Sequence, residues 1–207
     1  MINIITKFSG RLKYCRLNKL LNLLMTMTIF VHKFQTNQEV VMLSDKMLKA
    51  LNKHLNEELY SSYLYLSMAA YFEDKNLKGF AGWMRVQSQE EYMHAMKFYD
   101  FINSVNGKVT LTQIDAPKTN WKSIMEVWKD TLAHENKITS LINKLVDQAM
   151  QEKDYATNNF LQWFVTEQVE EVTTVEDIIS KLELIGDNKS GLYMLDRELG
   201  ARAAAGK

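Results

Sequence analysis

The sequence predicts an all-α fold: a four-helix bundle with one long crossover and a short fifth helix. Three observations predict it. The 207 residues hold a single proline and eight glycines, so little interrupts helices, because proline lacks the backbone donor and clashes with the preceding turn. Four stretches carry apolar residues at helical spacing. The link between the second and third is about 17 residues, against about five for the first-to-second and third-to-fourth links, and 17 residues can reach roughly 55 Å.

The first helix starts at Ser44 or Asp45 and runs to Phe72. The second runs from Lys78 to Val105 and ends before Asn106-Gly107. The third begins near Ser123, where Ser123-Ile124-Met125-Glu126 reads as a capping box, hydroxyl and carboxylate each serving an orphan backbone donor of the other. It runs to Met150, and the fourth follows Asp154 to Leu184, before Gly186. A fifth, Ser190 to Gly200, sets Leu192, Leu195 and Leu199 on one face. Short links make the first and second helices, and the third and fourth, antiparallel neighbours. A helix of about 28 residues is about 42 Å long. The link through Gly107 and Pro117 can therefore run the length of the bundle and start the third helix at the far end.

Composition narrows the function. With 46% hydrophobic and 24% charged residues, the chain is neither disordered nor fibrous. One cysteine, Cys15, excludes an internal disulfide framework, and the expected location is cytoplasmic. The zero formal net charge hides an asymmetry. Residues 1–41 carry six basic side chains (Lys7, Arg11, Lys13, Arg16, Lys19, Lys33) and one acid, Glu39, so the remainder has five more acids than bases. An acidic body argues against nucleic-acid binding and suits cations. The apolar run Leu20–Val31 is too short to span a membrane, and no small-residue cleavage site follows it. Residues 1–41 are therefore expected to stand outside the fold as an N-terminal extension, with Met42 the working start of a domain over 42–207; a targeting signal or functional tail is the alternative. Cys15 and His32 fall in this segment and receive no role.

Each helical stripe is broken by polar residues. The first runs Leu51, Leu55, then Glu58, Ser62, Tyr65; the second Trp83, Met84, then Glu91, His94, Phe98. The third runs Trp128, Thr131, then Glu135, Ile138; the fourth Leu161, Phe164, then Gln168, Glu171, Val175. Glu58, Glu91 and Glu135 each lie about 12–13 residues into their helix, roughly 20 Å along the axis. Gln168 lies about as deep, with Glu171 one turn further. Near-midpoint positions make helix direction irrelevant, so the acids should meet at one level. Four unpaired carboxylates cannot share a dry interior: either they protonate or cations sit among them, and two divalent ions would balance them, with neutral His94 adding a nitrogen donor. Oxygen donors with one imidazole favour iron. Glu91, between Glu58 and His94, is the candidate bridging carboxylate. A lone E-x-x-H on a helix is unspecific; four stripes broken at matched height beside one are not.

Leu55–Phe72, Gln87–Met96 (QSQEEYMHAM), Ala133–Asn143 and Asn159–Glu171 resemble the prokaryotic non-haem ferritins. The similarity covers about residues 42–200, and Met42-Leu43 looks like the usual start of that family. The resemblance implies a ferritin-like bundle with a ferroxidase centre. Glu58, Glu91 and His94 would hold one iron; Glu91, Glu135 and Glu171 would hold a second, with Gln168 close by. Glu90, Glu167 and Glu170 match a third, weaker iron site that shares Glu171. Tyr65 and Trp163 match aromatic residues beside the centre. The second E-x-x-H of bacterioferritins and rubrerythrins is replaced by Gln168-Val169-Glu170-Glu171, and the haem methionine of bacterioferritins would fall at Tyr92, so no haem is expected. Val172–Ile179 is less charged than that family usually is.

The reaction so implied is oxidation of Fe(II) to Fe(III) by dioxygen or peroxide, followed by storage as ferric mineral in a homo-oligomeric shell of 24 subunits, the fifth helix at its fourfold axes. Tyr65, seven residues after Glu58 and about 20° away around the helix, could give an electron or a hydrogen bond to the centre. His54 reads as an edge histidine, and His134, about 100° from Glu135, should face away from the site. A non-storage di-iron oxidase or peroxidase, and a mineral-nucleating subunit without oxidase activity, are the alternatives.

Overall fold

A computed structural model describes residues 43–205, which hold five helices and no strand. These are α1 (Asp45–Asp74), α2 (Lys78–Ser104), α3 (Ile124–Glu152), α4 (Tyr155–Ile185) and α5 (Lys189–Ala205). Helix boundaries agree with the sequence expectation to within a residue or two, except that α5 runs five residues further. The expectations for residues 1–41 and a start at Met42 lie outside the described residues.

Side chains set the helix starts. Ser44 Oγ accepts the amide of Met47 (2.9 Å) and Asp154 Oδ1 that of Thr157 (3.0 Å), each satisfying an orphan donor. At α3, Ser123 Oγ accepts from Glu126 N, but the return half of the predicted capping box differs. Glu126 Oε2 accepts the amide of Lys122 instead (2.6 Å), and Lys118 Nζ lies 2.9 Å from Glu126 Oε1. The lysine pulls the carboxylate toward the incoming chain.

The crossover 105–123 runs alongside α1. Asn52 holds Lys108 O and Thr110 N, Asn56 reaches Gln113 O, and Ser67 reaches Lys118 O. Successive crossover residues thus meet successively later turns of α1. The chain enters α3 at the end where α2 began, and Ser44 at the start of α1 donates to Glu152 at the end of α3 (2.5 Å). Helices α1 and α4 therefore run one way and α2 and α3 the other.

The core is two apolar clusters. One gathers Tyr65, Met68, Phe72, Phe80, Trp83, Trp128 and Ile178. The other gathers Leu51, Leu55, Phe98, Ile138, Ile142 and Phe164. Between them lies a belt of buried polar side chains drawn from all four long helices.

α5 packs across the start of α2, whose N-cap, Leu77, has no capping side chain. Asp196 of α5 caps α2 from outside, its Oδ1 accepting from Gly79 N (2.8 Å) and Phe80 N (3.0 Å). A Cβ at Gly79 would lie 1.5 Å from Asp196 O, so only glycine allows this approach. Leu195 and Leu199 are buried against the first cluster, with Leu192 partly so.

Candidate metal centre

Glu58 of α1, Glu91 and His94 of α2, Glu135 of α3 and Glu171 of α4 all lie in the polar belt. Their exposures are 1%, 3%, 5%, 1% and 6%. Ser62 and Ser88 bind each other's carbonyls at 2.7 Å, drawing α1 and α2 together at this height. One atom each of Glu58, Glu91 and His94 falls within a mutual 4.8 Å, the span of a set that could hold a metal ion. Among the described residues this is the one such triplet of acid and imidazole side chains.

The carboxylates differ in what holds them. Glu58 Oε1 lies 2.9 Å from His54 Nε2, while Oε2 is buried with no partner. Glu91 Oε2 is 3.4 Å from His94 Nδ1, and Gln87 Nε2 reaches Glu91 Oε1 (3.3 Å) and Glu171 Oε2 (2.7 Å). Glu135 accepts from the Tyr65 hydroxyl and, at 3.2 Å, from Gln168 Nε2, which also faces Thr139 Oγ1 at 3.1 Å. Glu135 and Glu171 thus share the belt with Glu91, Gln87 linking Glu171 to Glu91 while Tyr65 and Gln168 hold Glu135.

Burial dominates the electrostatics. It pushes Glu91 well above the ordinary carboxylate range, against the hydrogen bond from His94. It raises Glu135 to about 8, the charge of Glu91 adding and the bonds from Tyr65 and Gln168 opposing. It raises Glu171 to about 7, the charge of Glu135 adding and Gln87 opposing. Glu58 goes the other way: burial would raise it, but the charge and hydrogen bond of His54, with His94 beyond, hold it below the ordinary value. Burial would lower His94, yet its bond to Glu91 and the surrounding acids lift it to about 9. Burial, then the charge of Glu135, keeps the Tyr65 phenol protonated far above its ordinary value, so it donates. A divalent cation placed in such a belt would stabilise its acids in their charged form.

The third group is not gathered. Glu170 is exposed. Glu167 Oε1 is 3.8 Å from His94 Nε2, and Glu90 is paired with Arg202 of α5. Trp163 is 40% exposed, its ring edge-on to His94 with centroids 5.3 Å apart and Lys97 Nζ 3.9 Å from its centroid.

One expectation is corrected. His54 is not at an edge: it is 3% exposed, because four residues before Glu58 on a helix is the same face, and its ring packs on Phe98 at 4.7 Å. His134 turns from the carboxylates as expected, and the rotation carries it into the seam with α1. There it meets Ser61 Oγ at 2.7 Å, and burial, then Lys137, lowers it to about 4. Gln87 and Arg202 join the belt as well, although neither stands out in the sequence. Gln87 was findable, one turn before Glu91 on the same stripe. Arg202 was not: only the packing of α5 brings its Nη1 within 3.0 Å of Gln87 Oε1.

Comparison with known proteins gives one answer. The model of the Ferritin family, described as a ferritin-like domain, matches residues 48–185. The bacterial non-heme ferritin of Staphylococcus haemolyticus is 44% identical over 162 residues, 78% of this chain and 98% of that protein. That of Staphylococcus aureus (strain USA300) is 41% identical over 161 residues, 78% and 97%. The crystal structure of an open pore ferritin from the hyperthermophilic archaeon Archaeoglobus fulgidus is 52% identical, with a TM-score of 0.76 over 76% of this chain and 96% of that one. With the family's domain running from the first turns of α1 to the end of α4, this chain belongs to the ferritin family.

Proposed function

We propose that this chain stores iron, oxidising Fe(II) to Fe(III) at a centre within each subunit and depositing the ferric product as mineral inside a shell of 24 copies in the cytoplasm. One observation carries the reading: Glu58 Oε2 is buried and unpartnered beside Glu91 and His94, in a belt holding two further buried acids. An unsatisfied oxygen among like charges is tolerable when a cation arrives.

In this reading Glu58, Glu91 and His94 take the first ferrous ion. Glu135 and Glu171 take the second with Glu91, and Gln168 lies beside it. Each ferrous ion gives one electron to dioxygen or peroxide, and carboxylate oxygens favour the ferric product. Tyr65, held protonated, supplies a hydrogen bond to Glu135. Glu90, Glu167 and Glu170 form a weaker third station once Arg202 releases Glu90. No haem takes part, and no described helix is long and apolar enough to cross a membrane.

Stopped-flow absorbance after anaerobic Fe(II) loading tests the oxidase. Glu91→Ala is expected to abolish the fast phase, with a loss of at least about a hundredfold; a variant as fast as the parent overturns the assignment. Native mass separates storage from a non-storage di-iron oxidase, since a shell far exceeds a dimer. A shell that binds iron with no fast phase in the parent would instead be a mineral-nucleating subunit.

A further inference from the structure

Among the described acids, Glu58 alone has one oxygen fixed and the other both fully buried and without a partner. His54 fixes the first. A carboxylate only accepts hydrogen bonds, so the ring nitrogen facing it carries the hydrogen, whatever the charge on the ring. The ring has little freedom. It is buried one helical turn from Glu58 and packed against Phe98, with an interplanar angle of 54°. His54 itself lies outside the triplet of close ligand atoms. Its outer side borders a surface cleft of about 130 Å³ lined by Lys53, Glu57, Lys144 and Gln148 among others.

We propose that His54 is a positioning residue for the metal centre: its Nε2–H pins one oxygen of Glu58 and thereby aims the other at the ion shared with Glu91 and His94. Partners that orient a ligand raise metal affinity by preorganising it, and their loss typically costs tenfold or more. Without the donor, Glu58 is free to rotate about its last torsion and must be ordered when the ion binds.

The inference rests on the metal centre proposed above, and the experiment separates the two. Cobalt(II), a probe that oxygen does not readily oxidise, is titrated into the assembled protein, reading affinity and visible spectrum. The parent, His54→Leu, His54→Gln and Glu58→Ala are compared. The cleft beside the ring leaves room for either replacement. His54→Leu is expected to weaken the first cobalt site about tenfold and alter its spectrum. His54→Gln, whose amide reaches the same oxygen, is expected to stay within about threefold of the parent. Glu58→Ala is expected to lose the site. Parent-like binding by His54→Leu, or equal losses in the Leu and Gln variants, overturns the role of His54 while the centre stands. Parent-like binding by Glu58→Ala overturns the centre and, with it, this inference.

Discussion

At the scale of single residues, the belt is an arrangement of donors among acids. Gln87 gives one amide group to both Glu91 and Glu171, and its carbonyl is held by Arg202. Gln87→Leu keeps the approximate volume but strips a hydrogen bond from two buried carboxylates. Such a hydrogen bond contributes about 0.5–1.5 kcal/mol to a protonated carboxyl and about 1.5–3 kcal/mol to a charged one. The metal-free variant is expected to melt several degrees below the parent, and the gap should narrow when a divalent metal replaces the lost donor. Calorimetry with and without cobalt checks this; an undiminished gap in the loaded protein would mean that Gln87 serves packing and not the acids. The acids were legible in the sequence because a charge inside an apolar stripe is conspicuous. Their neutral partners were less so, since a glutamine or histidine on a stripe reads equally as an edge position until its neighbours are known.

At the scale of elements, α5 is more than an appendage. Asp196 caps α2, and Arg202 spans Gln87, Glu90 and the face of Trp83, 4.7 Å from the ring. The closeness depends on two glycines: a Cβ on Gly200 would lie 3.3 Å from the Cα of Gly79. Gly79→Ala would drive a methyl into the backbone of Asp196, which has no flexible end to yield. The expected result is a detached α5. Amide exchange across 189–205 should accelerate at least tenfold while α1, α3 and α4 keep their protection, as hydrogen exchange by mass spectrometry can read. Uniform loss of protection would show that α5 and the bundle unfold as one unit. The bundle itself was readable in advance, because helix periodicity, caps and the long 105–123 link are local signals that agree with one another. The docking of α5 was not. Its three leucines predict a buried face, but which helix covers it depends on Gly79 and Asp196, 117 residues apart.

At the scale of the whole molecule, the buried acids set how stability varies with pH. Glu91, Glu135 and Glu171 titrate above the ordinary 4.5 when the metal-free chain is folded, the latter two at about 8 and about 7. The folded state thus keeps protons that the unfolded chain releases, and raising the pH from about 4.5 to 8 favours unfolding. His94, lifted from 6.5 to about 9, adds stability below 6.5 that is lost as the pH climbs through 9. In the other direction, His134 at about 4 and the lowered Glu58 take stability away as the pH falls from 6.5 through 4 and below. The metal-free protein should therefore be most stable in mild acid and weaken from pH 6 to 9 by a few kcal/mol per subunit, roughly 5–10 °C in melting temperature. Divalent metal inverts this trend, since cations compete with protons for the same oxygens and bind better as those protons leave. Melting curves at pH 6, 7, 8 and 9, with and without cobalt, should diverge steadily. Parallel curves would mean that the belt holds its charge by some means other than a bound ion.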